Sequence, residues 1–399
     1  MRTRLHSLRL CTLAVACGAA SALAQQARLT NPYESVDWST YSHYRADLHV
    51  HTIQSDGCHH LYQVVRVFQE AGFSILSITD HDAVSPNQCV LGEPSPYPDP
   101  RPANFPADTT WPWNAYGAPA PAELGMLGIE GAELTCTYHI NSFFNDYGFA
   151  PCSSDDRPTP DDWLVEVARR DGLAVLNHPG GSAKADGLEW VTALYGNPAN
   201  DRLVGMELAG GATTEVNATL WDQLLGMFMP DRPIWGFGTS DMHLLSQTRF
   251  AFTVFLLDEL TEAGVKDAMR TGQFYAVTGP KVMDFSRNRS PDVAPRAEYD
   301  GMYPQLRSIV VDREAAKISI EAGGYDEIVW TAKPSATEPS PRPAAAAPWP
   351  AARVVQRGPV LDYADIESPY VRAELIRHTD EGPVRVFLNP FALIKAASN

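Results

Sequence analysis

The sequence predicts an α/β protein with repeated βα units around a parallel sheet or barrel, followed by a small antiparallel β domain. From Tyr44 to about Thr278, short apolar runs alternate with helical patterns, as they do in βα units. Past Arg287, strand-like runs follow one another without helical patterns between them. The chain has 399 residues, 44% of them hydrophobic. This is enough for a large domain and a smaller one, and it excludes a wholly disordered chain.

The βα part begins with a helical pattern whose apolar residues, between Leu61 and Ala71, share one face. A second helix is predicted to begin at Thr159-Pro160, because Asp161 and Asp162 place negative charge in its first turn. Two further helices are predicted over Thr214–Met229 and Thr261–Thr271. The runs most typical of buried strands are Ser74–Ile78, Leu173–Leu176, Leu203–Met206 and Ile234–Phe237.

Residues 85–122 interrupt this rhythm with many prolines and aromatic residues, among them Trp111, Trp113 and Tyr116. We interpret this insert as a long loop over one end of the barrel. Long ordered loops are often lids or binding loops. The alternative is a solvated insertion without a functional role.

The C-terminal part, residues 287–399, is predicted to be a small antiparallel β domain. A Pro/Ala-rich stretch from Lys333 to Ala352 divides it and is expected to be an extended loop. With an N-terminal extension over residues 25–43, this leaves residues 44–286 for the barrel. The strand-like runs of the C-terminal part are Ala316–Ile320, Glu327–Trp330, Tyr370–Leu375 and Val384–Leu388. It contains one histidine, His378, and no cluster of catalytic residue types.

Residues 1–24 have the pattern of a secretory signal peptide. Three arginines precede an apolar stretch from Leu10 to Leu23, and Ala22-Leu23-Ala24 supplies the small-residue cleavage pattern. The alternative, a membrane-anchoring helix, needs about 20 apolar residues, and this stretch is shorter. We therefore expect a periplasmic or secreted protein that begins near Gln25 and has no stable membrane insertion.

The net charge argues against anionic partners such as nucleic acids. It is −17, from 31 basic and 48 acidic residues, and becomes −20 without the three arginines of the leader. Nucleic acids and anionic lipid surfaces repel a chain this acidic, and no Lys/Arg cluster reverses the sign locally. We therefore expect a small-molecule substrate and no nucleic-acid partner. The sequence does not indicate an oligomeric state.

The cysteines that remain after the leader match no CxxC zinc motif, and an exported protein can form disulfides. They are Cys58, Cys89, Cys136 and Cys152. We expect Cys89 and Cys152, which flank the loop-rich stretches, to be joined. Cys58 and Cys136 are expected to be buried thiols, although four cysteines allow three fully paired arrangements.

Histidine and acidic residues recur just beyond the apolar runs, where strands end. In Asp47-Leu48-His49-Val50-His51-Thr52, alternation along a strand places the two imidazoles on one face. The C-terminal ends of barrel strands meet on one face, so these residues converge. The candidate metal ligands are His49, His51, Asp56, His81, Glu133, His139, His178, Asp241 and His243. Six imidazoles and three carboxylates suit two or three divalent ions of Zn, Mn or Fe, whose charge would also relieve the repulsion among the acids.

These motifs resemble those of the PHP superfamily, named for its polymerase and histidinol phosphatase members. The family pattern of HxHT, SDG, TDH, GxE, a later His, NHP and SDxH is similar to the segments that contain these nine residues. The resemblance covers about residues 44–280. It implies a distorted (β/α)7 barrel, a two- or three-metal centre and ligand roles for all nine. His139-Ile140-Asn141 also resembles a branch of secreted or environmental PHP hydrolases that includes carbamate and aryl ester hydrolases.

Several residues near the motifs leave alternatives open. Glu130 also follows a Gly-Ile pair, but Gly131-Ala132-Glu133 fits GxE better. The His59-His60 pair is expected at a helix start on the surface. Asp80 and Asp82 are expected to shape a turn or to accept hydrogen bonds from imidazole N–H groups.

A centre of this kind favours hydrolysis. Between two ions about 3.5–4 Å apart, a bridging water loses a proton near neutral pH, and the hydroxide attacks phosphorus or a carbonyl carbon. We expect Glu133 to bridge the ions, and Asp241 to bind metal, either alone or while also accepting a proton. Arg249 is expected to hold a substrate anion or to form a structural ion pair. No Ser-His-Asp order or nucleophile elbow indicates a covalent route.

The sequence thus predicts a metal-dependent hydrolase, and a phosphoesterase is the favoured activity. A carbamate or carboxylic/aryl ester hydrolase on the same centre is the alternative. From another class, the chain could be a metal-stabilised envelope or carbohydrate-binding protein that makes its contacts through the aromatic-rich insert and the β domain.

Overall fold

The computed structural model describes residues 28–82, 89, 109–136, 138–148, 158–182, 187–209, 214–249, 251–279, 301–333 and 352–394. Its strands are β1 (Arg28–Thr30), β2 (Ser42–Asp47), β3 (Ile75–Ile78), β4 (Leu127–Leu134), β5 (Ile140–Phe143), β6 (Leu173–Leu176), β7 (Leu203–Ala209), β8 (Trp235–Gly238), β9 (Ala251–Leu257), β10 (Phe274–Thr278), β11 (Gln305–Asp312), β12 (Lys317–Gly323), β13 (Glu327–Ala332), β14 (Arg353–Arg357), β15 (Val360–Asp362), β16 (Tyr370–Thr379), β17 (Gly382–Leu388) and β18 (Phe391–Ile394). Its helices are α1 (Leu61–Glu70), α2 (Pro160–Arg169), α3 (Pro179–Ser182), α4 (Gly187–Gly196), α5 (Thr214–Phe228) and α6 (Glu262–Thr271). The predicted leader, residues 1–24, lies outside the described residues. Within them, no helix is both long enough and apolar enough to span a membrane.

The strands and helices predicted for the βα part are present. The four predicted strands correspond to β3, β6, β7 and β8, and the four predicted helices to α1, α2, α5 and α6. Helix α2 begins where its first-turn residues predict, because Thr159 and Asp162 each accept a hydrogen bond from the other's backbone amide. His60 precedes helix α1 and accepts a hydrogen bond from the Tyr62 amide at 3.3 Å, which is the helix-start role expected of it.

The strands that carry the predicted motifs form a mixed sheet in the order β2–β3–β4–β5–β6–β7–β8. The pairs β2–β3, β3–β4, β6–β7 and β7–β8 are parallel. Beyond the ends of β2 and β8, a parallel bridge joins Val50 to Met242, so the first and last strands of this order meet at their C-terminal ends. The described residues therefore form a mixed α/β protein whose motif-bearing strand ends lie together.

Strand β5 runs antiparallel to both neighbours, whereas the sequence pattern predicts a parallel sheet. The reason is the length of the connection from Leu134 to Ile140. A crossover between parallel strands needs a dozen or more residues, and this connection has five, residues 135–139. The chain therefore turns back beside β4, and residue 139, just before β5, stays near the end of β4.

The C-terminal strands pair antiparallel, but most of them continue the sheet of the βα part. Strand β10 pairs with β17, and β17 pairs with β16. At the far edge, β1 pairs with β18, so the N-terminal extension supplies an edge strand. Strands β11, β12 and β15 form a separate three-stranded sheet. Hydrogen bonds between β10 and β17 therefore join strands on the two sides of the predicted domain boundary near residue 287. That boundary stays a prediction.

The described part of the insert, residues 109–122 together with Cys89, is anchored to the rest of the protein. Trp113 and Tyr116 are fully buried in the hydrophobic core that α1 and the C-terminal strands share. The Thr110 hydroxyl donates a hydrogen bond to Asp80 at 2.7 Å, beside the motif-bearing strand ends. This segment is therefore not a solvated insertion. The remainder of the insert lies outside the described residues, as does most of the Pro/Ala-rich loop over 333–352.

A buried charged group joins α5 to strand β16. The Arg372 guanidinium is fully buried and binds both oxygens of Asp222 at 2.7 Å. Its remaining terminal nitrogen donates to Glu374 at 2.7 Å, and the Tyr370 hydroxyl donates to Asp222 at 2.9 Å. The ring of Trp221 lies 4.9 Å from the guanidinium carbon. Burial alone would lower the pKa of Arg372, but Asp222 and Glu374 raise it, so the side chain stays charged.

The cysteine predictions are wrong. Cys58 is not a thiol but forms a disulfide with Cys89, and Cys89 is therefore not joined to Cys152. Cys136 is also disulfide-bonded, to a partner outside the described residues. Cys89 lies beside Cys58 and Leu244, so the disulfide connects the insert to the loop that carries Asp56.

Candidate metal centre

His49 and His51 lie directly beyond strand β2, in a segment held extended by backbone hydrogen bonds. The His51 amide donates to the Met242 carbonyl at 2.8 Å, and the Met242 amide donates to the His49 carbonyl at 3.3 Å. Both imidazoles are fully buried, and their Nε2 atoms are 3.0 Å apart. The alternation of the strand thus places them on one face, as the sequence predicts.

Glu133 occupies the middle of the centre. It is fully buried in strand β4, and a bridge between His81 and Glu133 extends the pairing of β3 with β4. Its Oε2 atom lies 2.8 Å from His81 Nδ1, 3.2 Å from His49 Nε2 and 3.3 Å from His51 Nε2. Three imidazoles from two strand ends therefore face one carboxylate oxygen.

The other oxygen of Glu133 faces a different group of side chains. Its Oε1 atom lies 3.0 Å from His139 Nδ1 and 3.4 Å from His178 Nε2, and it accepts a hydrogen bond from Asn177 Nδ2 at 2.8 Å. The short β4–β5 connection brings His139 to this side. One carboxylate thus has imidazoles on both oxygens, which is the geometry a bridging ligand needs.

Asp56 joins the centre through the loop after His51. Its Oδ1 atom lies 3.2 Å from His243 Nε2, 3.5 Å from His81 Nε2 and 3.8 Å from His51 Nδ1. The loop can turn this tightly because residue 57 is glycine: a Cβ there would lie 2.6 Å from the backbone of His51 and Thr52. The Cys58 amide donates to the His243 carbonyl at 2.9 Å, which fixes the loop against the last motif.

Asp241 completes the group beside the first two histidines. Its Oδ1 atom lies 3.3 Å from His49 Nε2 and 3.2 Å from His51 Nε2, and its Oδ2 atom lies 4.0 Å from His178 Nε2. Asp241 and His178 have positive φ angles of 50° and 25°, a region that few residues other than glycine occupy. Strained backbone at two members of one cluster is typical of functional sites.

Opposite charges dominate the electrostatics of this cluster. Burial alone would raise the pKa of Glu133 and Asp241, but nearby imidazoles, His49 foremost, hold both well below the ordinary value. Burial alone would lower the pKa of His81 and His178, yet Glu133 raises the first to about 10 and helps to raise the second to about 9. Without metal, imidazolium–carboxylate pairs thus balance the charges of the cluster.

The cluster also fits divalent cations. Glu133 Oε2 and Asp56 Oδ1 are buried and lack a hydrogen bond of good geometry within the described part of the chain, although imidazole nitrogens lie close to both. Mixed nitrogen and oxygen donors suit Zn, Mn and Fe. Four sets of side chains have ligand atoms within 4.8 Å of one another: His51, Asp56, His81 and His243; His49, His178 and Glu207; His49, His51 and Glu133; and His81, Glu133 and His139.

The structure also bears on the residues that the sequence left open. Glu130 lies away from the imidazoles and accepts a hydrogen bond from Thr109 at 2.9 Å, so Glu133 is the acid of the cluster. Asp80 and Asp82 have the turn-shaping role. Asp80 accepts hydrogen bonds from Thr52, Ser55 and Thr110, and Asp82 from the amide and hydroxyl of Thr135. The side chain of Arg249 lies outside the described residues, so its anion-binding role stays a prediction.

Glu207 also belongs to the centre, although the sequence motifs do not predict it. It lies in strand β7, is fully buried, and binds His49 Nδ1 at 2.6 Å and the His178 amide at 2.7 Å. The signal in the sequence was a single acidic residue within the apolar run Leu203–Ala209. Burial of a charge in a strand needs a partner, and here both partners are candidate metal ligands.

No protein-family model and no curated protein matches the chain. Among solved structures, a two-domain protein from Bacteroides vulgatus that contains a predicted PHP-like metal-dependent phosphoesterase is 18% identical, with a TM-score of 0.47, over 91% of this chain and 98% of that one. A proposed metal-dependent phosphoesterase from Bifidobacterium adolescentis is 17% identical, with a TM-score of 0.31, over 50% and 87%. An amidohydrolase from Chromobacterium violaceum, with bound sulfate and no metal, is 16% identical, with a TM-score of 0.33, over the same shares. Likenesses this low assign no activity.

Proposed function

We propose that the protein is a metal-dependent hydrolase of the PHP type, with a distorted (β/α)7 barrel, and that phosphoesters are its substrates. The observation that carries this proposal is the position of Glu133, a single buried carboxylate with imidazoles on both oxygens. Ions held there would polarise the scissile group and acidify a water molecule. Nine histidine and acidic residues at converging strand ends, three of them fully buried, favour a functional site over a purely structural role.

The exposure of the side chains distinguishes those that would hold ions from those that substrate can reach. Glu133 is fully buried, so it would hold ions and would not contact the substrate, with one oxygen toward His81 and the other toward His139. Asp241 is 31% exposed and His139 is 35% exposed, so substrate can reach the centre beside them. Asp241 Oδ1 belongs to the ligand group, and Oδ2, which lies farther from the imidazoles, would accept the proton released during hydrolysis.

We expect the purified protein to retain two or three divalent transition-metal ions per chain, because the side chains form four overlapping donor sets of three or four residues, more than one ion needs. Elemental analysis after gentle purification measures this directly. Fewer than one ion per chain would contradict the proposed centre.

The reaction class is tested by turnover of the metal-loaded protein on phosphomonoesters, phosphodiesters, carbamates and aryl esters. We expect phosphoester turnover to exceed carbamate turnover, since a phosphoryl group offers several anionic oxygens to the ions and a carbamate offers one carbonyl. A panel with no turnover at all would favour the envelope or carbohydrate-binding alternative.

A second activity is favoured by one feature at the edge of the centre. Tyr138 precedes His139 and stacks on Trp190 of helix α4, with ring centroids 3.6 Å apart and 14° between the planes. Both rings are half-buried, and such a wall suits a planar aromatic group. If only aryl esters or aryl carbamates are turned over, their hydrolysis replaces phosphoester hydrolysis as the proposed function.

We also propose that the protein is exported, as the pattern of residues 1–24 predicts. The Cys58–Cys89 disulfide supports this, because disulfides persist mainly in oxidising compartments. Sequencing of the mature N-terminus should find a start near Gln25, and an uncleaved chain would contradict export by this route.

A further inference from the structure

Glu207 differs from the other acids around the centre in what it contacts. Its two oxygens bind two separate chain segments: Oε1 contacts the Nδ1 atom of His49 at 2.6 Å, and Oε2 accepts a hydrogen bond from the backbone amide of His178 at 2.7 Å. These segments follow strands β2 and β6, which are not neighbours in the sheet. A single side chain in β7 thus connects two separate parts of the centre.

Both oxygens of Glu207 accept hydrogen bonds, one from His49 and one from the His178 amide, whereas Glu133 Oε2 lacks a hydrogen bond of good geometry among the described residues. Glu207 therefore differs from a carboxylate with an oxygen left for an ion. The observed 2.6 Å is a direct hydrogen bond. The metal side of His49 is its other nitrogen, Nε2, which faces Glu133 and Asp241.

The two nitrogens of a neutral imidazole cannot act alike, because one carries the proton and the other the lone pair. A carboxylate at Nδ1 accepts a hydrogen bond and cannot donate one, so it keeps the proton on Nδ1. The lone pair is then on Nε2, in the middle of the donor cluster. A carboxylate behind a metal-binding histidine also fixes the orientation of the ring and makes it a better ligand.

At His178, Glu207 acts on the backbone. This residue has a φ of 25°, and its ring lies against that of His49 with centroids 5.7 Å apart. The hydrogen bond from its amide to Glu207 supports a conformation that is unfavourable for a residue with a Cβ. The His178 Nε2 atom then faces Glu133 Oε1.

From this geometry we infer that Glu207 is a positioning residue for the proposed metal centre: it sets the tautomer of His49 and holds the backbone of His178, and it binds no ion. This inference rests on the proposed function.

The Glu207→Gln variant tests this positioning role, because glutamine keeps the shape of the side chain but has one hydrogen-bond acceptor oxygen where glutamate has two. The glutamine oxygen can accept from His49 or from the His178 amide, and its NH₂ group then opposes the other donor. We expect the Kd for zinc, measured by competition with a chelator, to rise about 10- to 100-fold with the number of bound ions unchanged at saturation. Glu130→Gln is the matched control. It removes a half-buried carboxylate that accepts a hydrogen bond from Thr109 and lies away from the imidazoles, so it should leave this Kd unchanged.

A second measurement separates positioning from a general loss of stability. In the zinc-loaded protein, the proton on His49 Nδ1 should give a downfield NMR signal that shifts upfield in Glu207→Gln, while other histidine signals move little. Wild-type zinc affinity in Glu207→Gln, or an unchanged His49 signal, would overturn the inference. Complete loss of one ion, with the others bound as tightly as before, would make Glu207 a ligand and also overturn it. A wild-type protein that binds no zinc would instead contradict the proposed function, and the inference with it.

Discussion

Glu133→Gln should lose most of the turnover while the protein still folds. We expect a fall of at least about 100-fold for whichever ester class the wild-type protein hydrolyses. The amide fills the same space but removes the one negative charge that faces both groups of imidazoles. It can still accept the hydrogen bond from Asn177 with its oxygen, but its NH₂ group then points toward His81, where a ligand atom is needed.

Folding should survive this change because the neighbouring imidazoles can lose their protons. Glu133 raises the pKa of His81 and His178 against the effect of burial, so its removal lowers both pKa values and makes the neutral imidazoles easier to form. Two variants serve as controls in the same assay. Glu130→Gln changes the neighbouring acid of strand β4, and His378→Ala changes a 64% exposed residue of strand β16. Both should behave as wild type, and full activity in Glu133→Gln would remove the bridging assignment.

Arg372→Ala should give the largest loss of stability. The substitution leaves Asp222 and Glu374 buried without the cation that binds both, and removal of one partner from a buried ion pair costs about 3–5 kcal/mol. The lost contact with Trp221 adds to this effect. The free energy of unfolding in urea measures the change, with Arg357→Ala as the control. Arg357 is 59% exposed, so its pair with Glu327 should contribute less than about 1 kcal/mol.

A double variant checks that the loss comes from the buried charge itself. Arg372→Met combined with Asp222→Asn removes both members of the closest pair, so its cost should be smaller than the sum of the two single substitutions. Additive losses would indicate that the charges act independently of each other. A loss below about 1 kcal/mol for Arg372→Ala alone would show that this pair does not hold helix α5 to the C-terminal strands.

The sequence predicts much of the centre because strand geometry alone relates its residues. His49 and His51 share a face through the two-residue period of a strand, and residues at the ends of converging strands meet without any knowledge of side-chain packing. Glu207 was missed for the opposite reason. It lies inside an apolar strand with no second motif residue, and its role depends on which side chains lie opposite it in the folded protein.

The path of the chain between strands was less predictable. The antiparallel direction of β5 follows from a short connection, but the segment Ile140–Phe143 has two polar central residues and was too brief to be identified as a strand. The Cys58–Cys89 pairing depends on where the insert returns, which no local pattern records. The continuation of the main sheet into β16 and β17 likewise depends on pairing between distant segments, which only the folded structure shows.

That continuous sheet limits how far the chain can be shortened. A protein cut after β10 would keep every candidate metal ligand, yet the cut would expose the backbone groups of β10 that now pair with β17. Unpaired edge strands of this kind promote aggregation. The same cut would leave the buried carboxylate of Asp222 without the Arg372 guanidinium. It would also remove β18, the strand that pairs with β1 at the other edge of the sheet. We therefore expect the C-terminal residues to be needed for stable folding of the part of the chain that carries the candidate metal ligands.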